Sequence, residues 1–376
     1  MTEKTFNLKG LSFDKKDLGI ITLDELGEKQ ICPGHVIFMS AKFNRPVLLM
    51  RAGDFVDPAF VKKYKDKGQK SFYILSIANQ KNIDEFESLW VKLKIAALES
   101  ERFAARNELL KYFANLYWYE DSVVCALDFY IATFNVFNRL ADEIIVEVRE
   151  TDTMLCERGM QMASLATVVA LAIGYTDYEI LSDIFHVTFL LDFGLVGEGY
   201  SYLISQACDK ERLSPGDGIT YLKNAKVSKK EFDFFHSHPV TGYQKVFRRC
   251  YGAFYNLELM KLISFHHEQH NGQGFPQRLN FWGLSDLEVV PLFIDYIVPF
   301  EEVIYQENSS GGLLKKYVDA IESGSKIDSL PIRRVYERLE YEMSKVLGEV
   351  VEDDIQNEEE NNIEEESLDL IDKLGA

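Results

Sequence analysis

"HHEQHNGQGFP", His266 to Pro276, packs three histidines, a glutamate, two closely spaced glycines and a proline into eleven residues. Immediately upstream, "LELMKLISFHHE" (Leu257–Glu268) has helical spacing, with Leu259, Leu262, Ile263 and His266 on one face and His267 about 100° round from His266. Gly272, Gly274 and Pro276 then break the expected helix. A single histidine at the end of an apolar face reads as a hydrogen-bonded core residue. Two adjacent imidazoles beside a glycine-rich turn point instead to a ligand pair for Fe, Mn or Zn.

Two further stretches lie upstream. "HSHPVTG" (His236–Gly242) brings a second histidine pair, with His238 followed by Pro239 and Gly242. In "FLLDFGLVG" (Phe189–Gly197), Asp192 ends an apolar helical run and Gly194 follows. A carboxylate after so much apolar sequence is costly to bury unless it is paired or bound to a metal. Six of the seven histidines fall between His186 and His270, so this block is where chemistry is expected. His35, beside an expected strand, reads as structural. His186 reads as a core or supporting residue, and His236 and His270 as supporting or exposed. Lys229, Lys230, Arg248, Arg249 and Arg278 flank the motifs and read mainly as solvated surface.

The whole chain narrows the classes. Its 376 residues, 47% of them hydrophobic, suffice for two or three domains with real cores. The longest apolar run, Met162 to Tyr175, is interrupted by Ser164 and Thr167 and falls short of the roughly 20 residues a membrane span needs. "MTEKTFNLKG" has neither the basic start nor the apolar core of a secretory signal, so a cytoplasmic protein is expected. The five cysteines are scattered and never form a C-x-x-C pair, which argues against a disulfide framework or a zinc ribbon. The net charge of −19 is concentrated at the end, where Glu349 to Ala376 hold twelve acidic residues and one lysine. Such a balance disfavours a nucleic-acid duplex as partner. Neither a Walker-type phosphate loop nor a G-x-S-x-G elbow is present.

Four segments are expected. Residues 1–80 read as a small α+β regulatory module: "HVIFMS" (His35–Ser40), "PVLLMRAGD" (Pro46–Asp54) and "SFYILS" (Ser71–Ser76) as strands, and "DPAFVKKYKDKG" (Asp57–Gly68) as a helix. Residues 81–150 contain neither proline nor glycine beyond Asn82 and read as a helical connector, compatible with a homodimer. Residues 151–345 read as the main helical domain. Residues 346–376 read as a disordered acidic tail, whose stripe Leu368, Ile371 and Leu374 could sit on a protein partner.

The order of the motifs resembles the HD-GYP family: an aspartate after an apolar helix, then H-P-x-x-G, then H-H-E-x-x-x-G-x-G-[YF]-P. These are all-helical, metal-dependent phosphodiesterases of the HD superfamily that hydrolyse the bacterial second messenger cyclic di-GMP. The resemblance covers about Thr151 to Gln306, with His266, His267, Glu268, Gly272, Gly274 and Pro276 matching the last motif, Phe275 in the usual Tyr position, and His238, Pro239 and Gly242 matching the middle one. It implies a mainly α fold, a helical HD-GYP-like domain behind the small α+β module. It also implies metal ligands at Asp192 (bridging, if the protein is active), His238, His266, His267 and Asp295, with Cys156 and Glu301 as further options. Gly272, Gly274, Phe275, Pro276 and Arg278 would lie against a bound dinucleotide.

The departures from the family pattern are as informative. Where the family carries H-D-x-G-K, this chain reads Leu191, Asp192, Phe193, Gly194 and Leu195, so a ligand histidine and a phosphate-facing lysine are lost. Cys156 aligns with the family's first histidine, Asn271 replaces an aspartate, and Val298 replaces the second aspartate of D-x-x-D-A. In the family one metal takes the first histidine, the H-D pair and the late aspartate, while the other takes the bridging aspartate and the later histidines. The losses fall on the first position. The resulting expectation is a degenerate member with one Fe, Mn or Zn, binding cyclic di-GMP, a related dinucleotide or a protein partner. An active phosphodiesterase and a metal-free scaffold are the alternatives.

Overall fold

The computed structural model describes residues 5–8, 11–40, 45–113, 126–197, 201–214, 216–269, 272–279, 283–298, 300 and 330–348. Six strands come first: β1 (Thr5–Leu8) and β2 (Leu11–Asp14) form an antiparallel hairpin, and β3 (Gly19–Thr22), β4 (Gly34–Ser40), β5 (Arg45–Met50) and β6 (Ser71–Ser76) form an antiparallel sheet of order β3-β6-β4-β5. Strand alternation sets the two faces. Phe72 and Ile74 of β6 join Ile21, Val36 and Met50 beneath helices α1 (Leu23–Gly27) and α2 (Pro58–Asp66), while Tyr73 and Leu75 pack on the other side with Ile37 and Phe13. The expected helix after Asp57 is α2, with Asp57 accepting from the Ala59 amide at 2.7 Å and Pro58 in the first turn. The expected strand at Pro46–Asp54 stops at Met50, because the Asp54 carboxylate takes the Arg51 amide at 2.6 Å and turns the chain.

The rest is helical: α3 (Gln80–Ile95), α4 (Glu99–Phe113), α5 (Ala126–Phe137), α6 (Asp142–Thr151), α7 (Thr153–Ala172), α8 (Tyr178–Phe189), α9 (Tyr202–Leu213), α10 (Asp217–Asn224), α11 (Lys229–Arg249), α12 (Asp286–Ile297) and α13 (Leu330–Leu347). Every residue of α7 from Leu155 to Ala172 is buried, which is why its sequence is apolar nearly all round. Helices α4, α5, α6, α8, α12 and α13 pack on it. The apolar run at Met162–Tyr175 is thus the second half of this core helix and the turn that follows it, and among the described residues no helix is long and apolar enough to cross a membrane. The four described cysteines form no disulfide.

The helices within 81–150 share this core, and so do residues of the strand module. Phe55 meets Phe134 edge-on at 5.0 Å, and Arg149 donates to the Phe55 carbonyl at 2.7 Å. Arg106, itself buried, donates to the Leu171 and Ala172 carbonyls at 3.0 and 2.6 Å, capping α7, and pairs with Glu342 of α13.

Helix α8 carries the chain to Asp192. Asp177 caps it by accepting from the Glu179 and Ile180 amides. His186 is fully buried within it: Nδ1–H donates to the Ser182 carbonyl at 2.6 Å, and Nε2 accepts from the Arg139 amide at 3.0 Å. Burial pushes its pKa down to about 4, against the opposing Ser182 hydrogen bond. The imidazole is neutral in the fold, so its contribution to stability is complete above about pH 6.5 and is lost as pH falls towards 4, on the order of 3 kcal/mol in all. Urea unfolding of the wild type and His186→Gln between pH 7.5 and 4.5 checks this. The variant should start less stable but lose less on acidification, and parallel curves would show that His186 does not carry the acid sensitivity.

Candidate metal centre

Asp192 follows α8 in a turn that leads into one 3-10 turn, Phe193–Leu195. Leu191 and Leu195, the two positions where the resemblance calls for a histidine and a lysine, are fully buried apolar residues. Gly194 rests directly on the backbone of α11: a Cβ there would lie 1.9 Å from the His238 carbonyl oxygen, and Gly242 accepts the same close approach from the other side. This glycine-on-glycine crossing brings Asp192 to His238.

Helix α11 begins with a Ser228–Glu231 capping box and contains Pro239. Proline has no N–H, so the Phe235 carbonyl four residues back lacks its helical donor. His238 Nδ1–H supplies one at 2.6 Å. The His-Pro pair therefore fixes the histidine's tautomer and leaves Nε2 as the free lone pair.

The expected α-helix over Leu257–Glu268 is not formed. Residues Leu259–Ser264 form a 3-10 helix, and residues 265–267 are a turn. The apolar positions are buried as the spacing required, but the chain tightens into i→i+3 bonds, Phe265 to Leu262 and Glu268 to Phe265. His266 Nδ1–H takes the Ile263 carbonyl at 2.9 Å, which again leaves Nε2 free. Asp183 of α8 anchors the approach to this segment by accepting from the Tyr255 and Asn256 amides.

Asp192, His238, His266 and His267 are all buried and each offers a ligand atom, these atoms lying within 4.8 Å of one another. Such a group could hold a metal ion. The Nε2 atoms of His238 and His266 are 3.2 Å apart, and each is 3.6 Å from Asp192 Oδ1. Two lone pairs cannot face each other at that distance unless a proton or a metal ion lies between them. His267 Nε2 is buried with no hydrogen-bond partner among the described residues. An orphaned imidazole nitrogen beside two aligned ones and a carboxylate oxygen fits a metal ion.

The electrostatics agree. Burial alone would raise the Asp192 carboxyl, but the facing imidazoles of His238 and His266 and the Arg158 guanidinium hold it well below the usual carboxylate range. Burial and the neighbouring imidazoles push His267 far down, and burial lowers His238 despite Asp192. His266 goes the other way: burial opposes its charge, yet Asp192 outweighs it.

A residue outside the sequence motifs completes the site. Arg158 of α7, fully buried, donates through Nη1 to Asp192 Oδ2 at 2.6 Å and through Nη2 to Asp295 Oδ1 at 2.7 Å. It also caps the end of α12, reaching the Val298 carbonyl at 3.0 Å and the Asp295 carbonyl at 3.2 Å. Asp295 is thus joined to Asp192 through Arg158 and is not one of the four clustered ligands. Cys156 does not join them either. It lies about 200° round α7 from Arg158, its thiol driven up by burial and the charge of Glu157. Glu301 lies outside the described residues, as do His270 and Asn271. A charge inside a helix that is apolar nearly all round must be paired, the same cost that singles out Asp192.

The glycine-rich loop shapes the site more than it offers groups. Phe275 stacks on His267 at 4.7 Å and on His236 at 5.2 Å, fixing the His267 ring. A Cβ at Gly274 would come within 2.4 Å of the His267 carbonyl. The Phe275–Pro276 peptide is cis, and Gly272 turns the chain at φ 70°. Buried Glu268 accepts the Gln277 and Leu279 amides at 2.5 and 2.7 Å and so pins the loop. Arg278 is exposed.

No protein-family profile and no curated protein matches this chain. Among solved structures, it is similar to Bd1817, an HDG"Y"P protein from Bdellovibrio bacteriovorus, at 18% identity over 86% of this chain and 99% of that one, with a TM-score of 0.36.

Gly194→Ala should separate the 3-10 turn from α11. The expected cost is about 1–3 kcal/mol in chemical denaturation, with at least tenfold weaker divalent-ion binding by titration calorimetry. Unchanged ion binding in a folded variant would show that the crossing does not set the site.

Proposed function

We propose that this chain is a degenerate HD-GYP-like protein of bacterial cyclic di-GMP signalling, with one divalent ion held by Asp192, His238, His266 and His267. It binds cyclic di-GMP, or a related dinucleotide or protein partner, and does not turn the nucleotide over efficiently. The observation that carries this reading is the four-ligand nest itself, with its two opposed Nε2 atoms and the orphaned nitrogen of His267. The motif order from Asp192 through Pro276 supplies the family, and the buried Leu191 and Leu195 account for the loss of a second ion and of a phosphate contact.

A bound divalent ion would polarise a phosphate oxygen and lower the pKa of a bound water. The chain's own residues hold Asp192 ionised, present Nε2 of His238 and His266, and lock the His267 ring against Phe275. Two-ion phosphodiesterases clamp the attacking and leaving oxygens together, which a single ion cannot do.

Elemental analysis of protein purified without added metal, combined with cyclic di-GMP binding and hydrolysis assays, tests the proposal. About one Fe, Mn or Zn per chain, lost in His266→Ala, with nucleotide bound and little product formed, is the expected outcome. Two ions with rapid formation of linear or cleaved dinucleotide would make the protein an active phosphodiesterase. Neither metal nor nucleotide would leave a scaffold.

A further inference from the structure

We propose that Arg158 is a tethered cation filling an oxygen-lined position beside Asp192, so that the centre is restricted to one divalent ion; this rests on the metal reading above. The guanidinium is enclosed by four oxygens: Asp192 Oδ2, Asp295 Oδ1, and the carbonyls of Asp295 and Val298, at 2.6 to 3.2 Å. The Phe300 ring covers its flat face, 4.0 Å from the central carbon. Carboxylate and carbonyl oxygens are the ligand set of hard divalent cations such as Mg, Mn and Ca. A guanidinium and a divalent ion cannot share those oxygens.

Nothing in this arrangement offers Arg158 to a ligand. Its side chain is 2% exposed, and its donors are directed to protein oxygens. Its role is one of position and charge. By engaging Oδ2 it turns Oδ1 of Asp192 towards the histidines, and it offsets one of the two buried carboxylates. Removing it alone would leave Asp192 Oδ2 and Asp295 Oδ1 buried without their cation, which is strongly destabilising unless another cation enters. The position therefore requires a positive charge, and this sequence supplies it covalently.

The test compares full-length wild type, Arg158→Ala, Arg158→Lys and Arg158→Ala/Asp295→Asn after equilibration with Mn2+ and removal of free ion. Bound Mn is counted per chain and thermal unfolding is recorded with and without millimolar Mn2+. Arg158→Ala should hold one more ion than the wild type and should recover stability when Mn2+ is added. Arg158→Lys, which keeps a cation, should match the wild-type count, and the double variant should lose the extra ion. A wild type with no ion and Arg158→Ala with one would refute the histidine centre while sustaining the role of Arg158. An Arg158→Ala count equal to the wild type overturns the inference, as does an extra ion that persists in the double variant. So does an Arg158→Ala chain that remains unfolded with Mn2+ present.

Discussion

Asp192 is a carboxylate at the end of an apolar helix, 7% exposed, and each of its oxygens requires a positive partner. Oδ2 has one in Arg158, and Oδ1 faces two imidazole nitrogens that themselves cannot coexist without a cation between them. A buried anion of this kind is tolerated only when it is compensated on every side. Much of the surrounding architecture serves that requirement. The central helix α7 delivers Arg158, α12 presents Asp295 and its own C-terminal carbonyls, and the Gly194–Gly242 crossing lets α11 bring His238 within reach.

The two histidines facing Asp192 are prepared by the same device in different secondary structure. Each donates Nδ1–H to the carbonyl three residues earlier, Phe235 or Ile263, and so exposes Nε2. In α11 the acceptor is freed by Pro239; in the Leu259–Ser264 segment it is available because the chain is 3-10 and ends there. The cost of burying these groups is met by fixed hydrogen bonds, and the lone pairs left over converge on one point. The third ring, His267, is held by stacking on Phe275, and its loop by Glu268.

Much of this was legible in the sequence, and the reasons are physical. Asp192, His238, His266 and His267 stand out because polar groups at the ends of apolar runs are costly without a purpose, and the structure brings those four together. The strand at Ser71–Ser76 and the Asp57-capped helix were marked by alternation and capping chemistry that act locally. What local pattern could not convey is which groups meet across long separations. Arg158 lies 34 residues from Asp192 and 137 from Asp295, and motif order points instead to its near neighbour Cys156. The Leu257–Glu268 segment keeps its predicted buried positions Leu259, Leu262, Ile263 and His266 but not its α-helical bonding, since residues three apart lie on one side of either helix.

In the proposed centre one ion sits among Asp192 and the three histidines, with Arg158 in the place of any second cation. X-ray absorption at the edge of the bound metal distinguishes one ion from two. The expected spectrum has a first shell of nitrogen and oxygen at about 2.0–2.2 Å, outer-shell scattering from about three imidazoles, and no metal–metal vector. A metal neighbour at about 3.5–4 Å, as in two-ion centres, would contradict it.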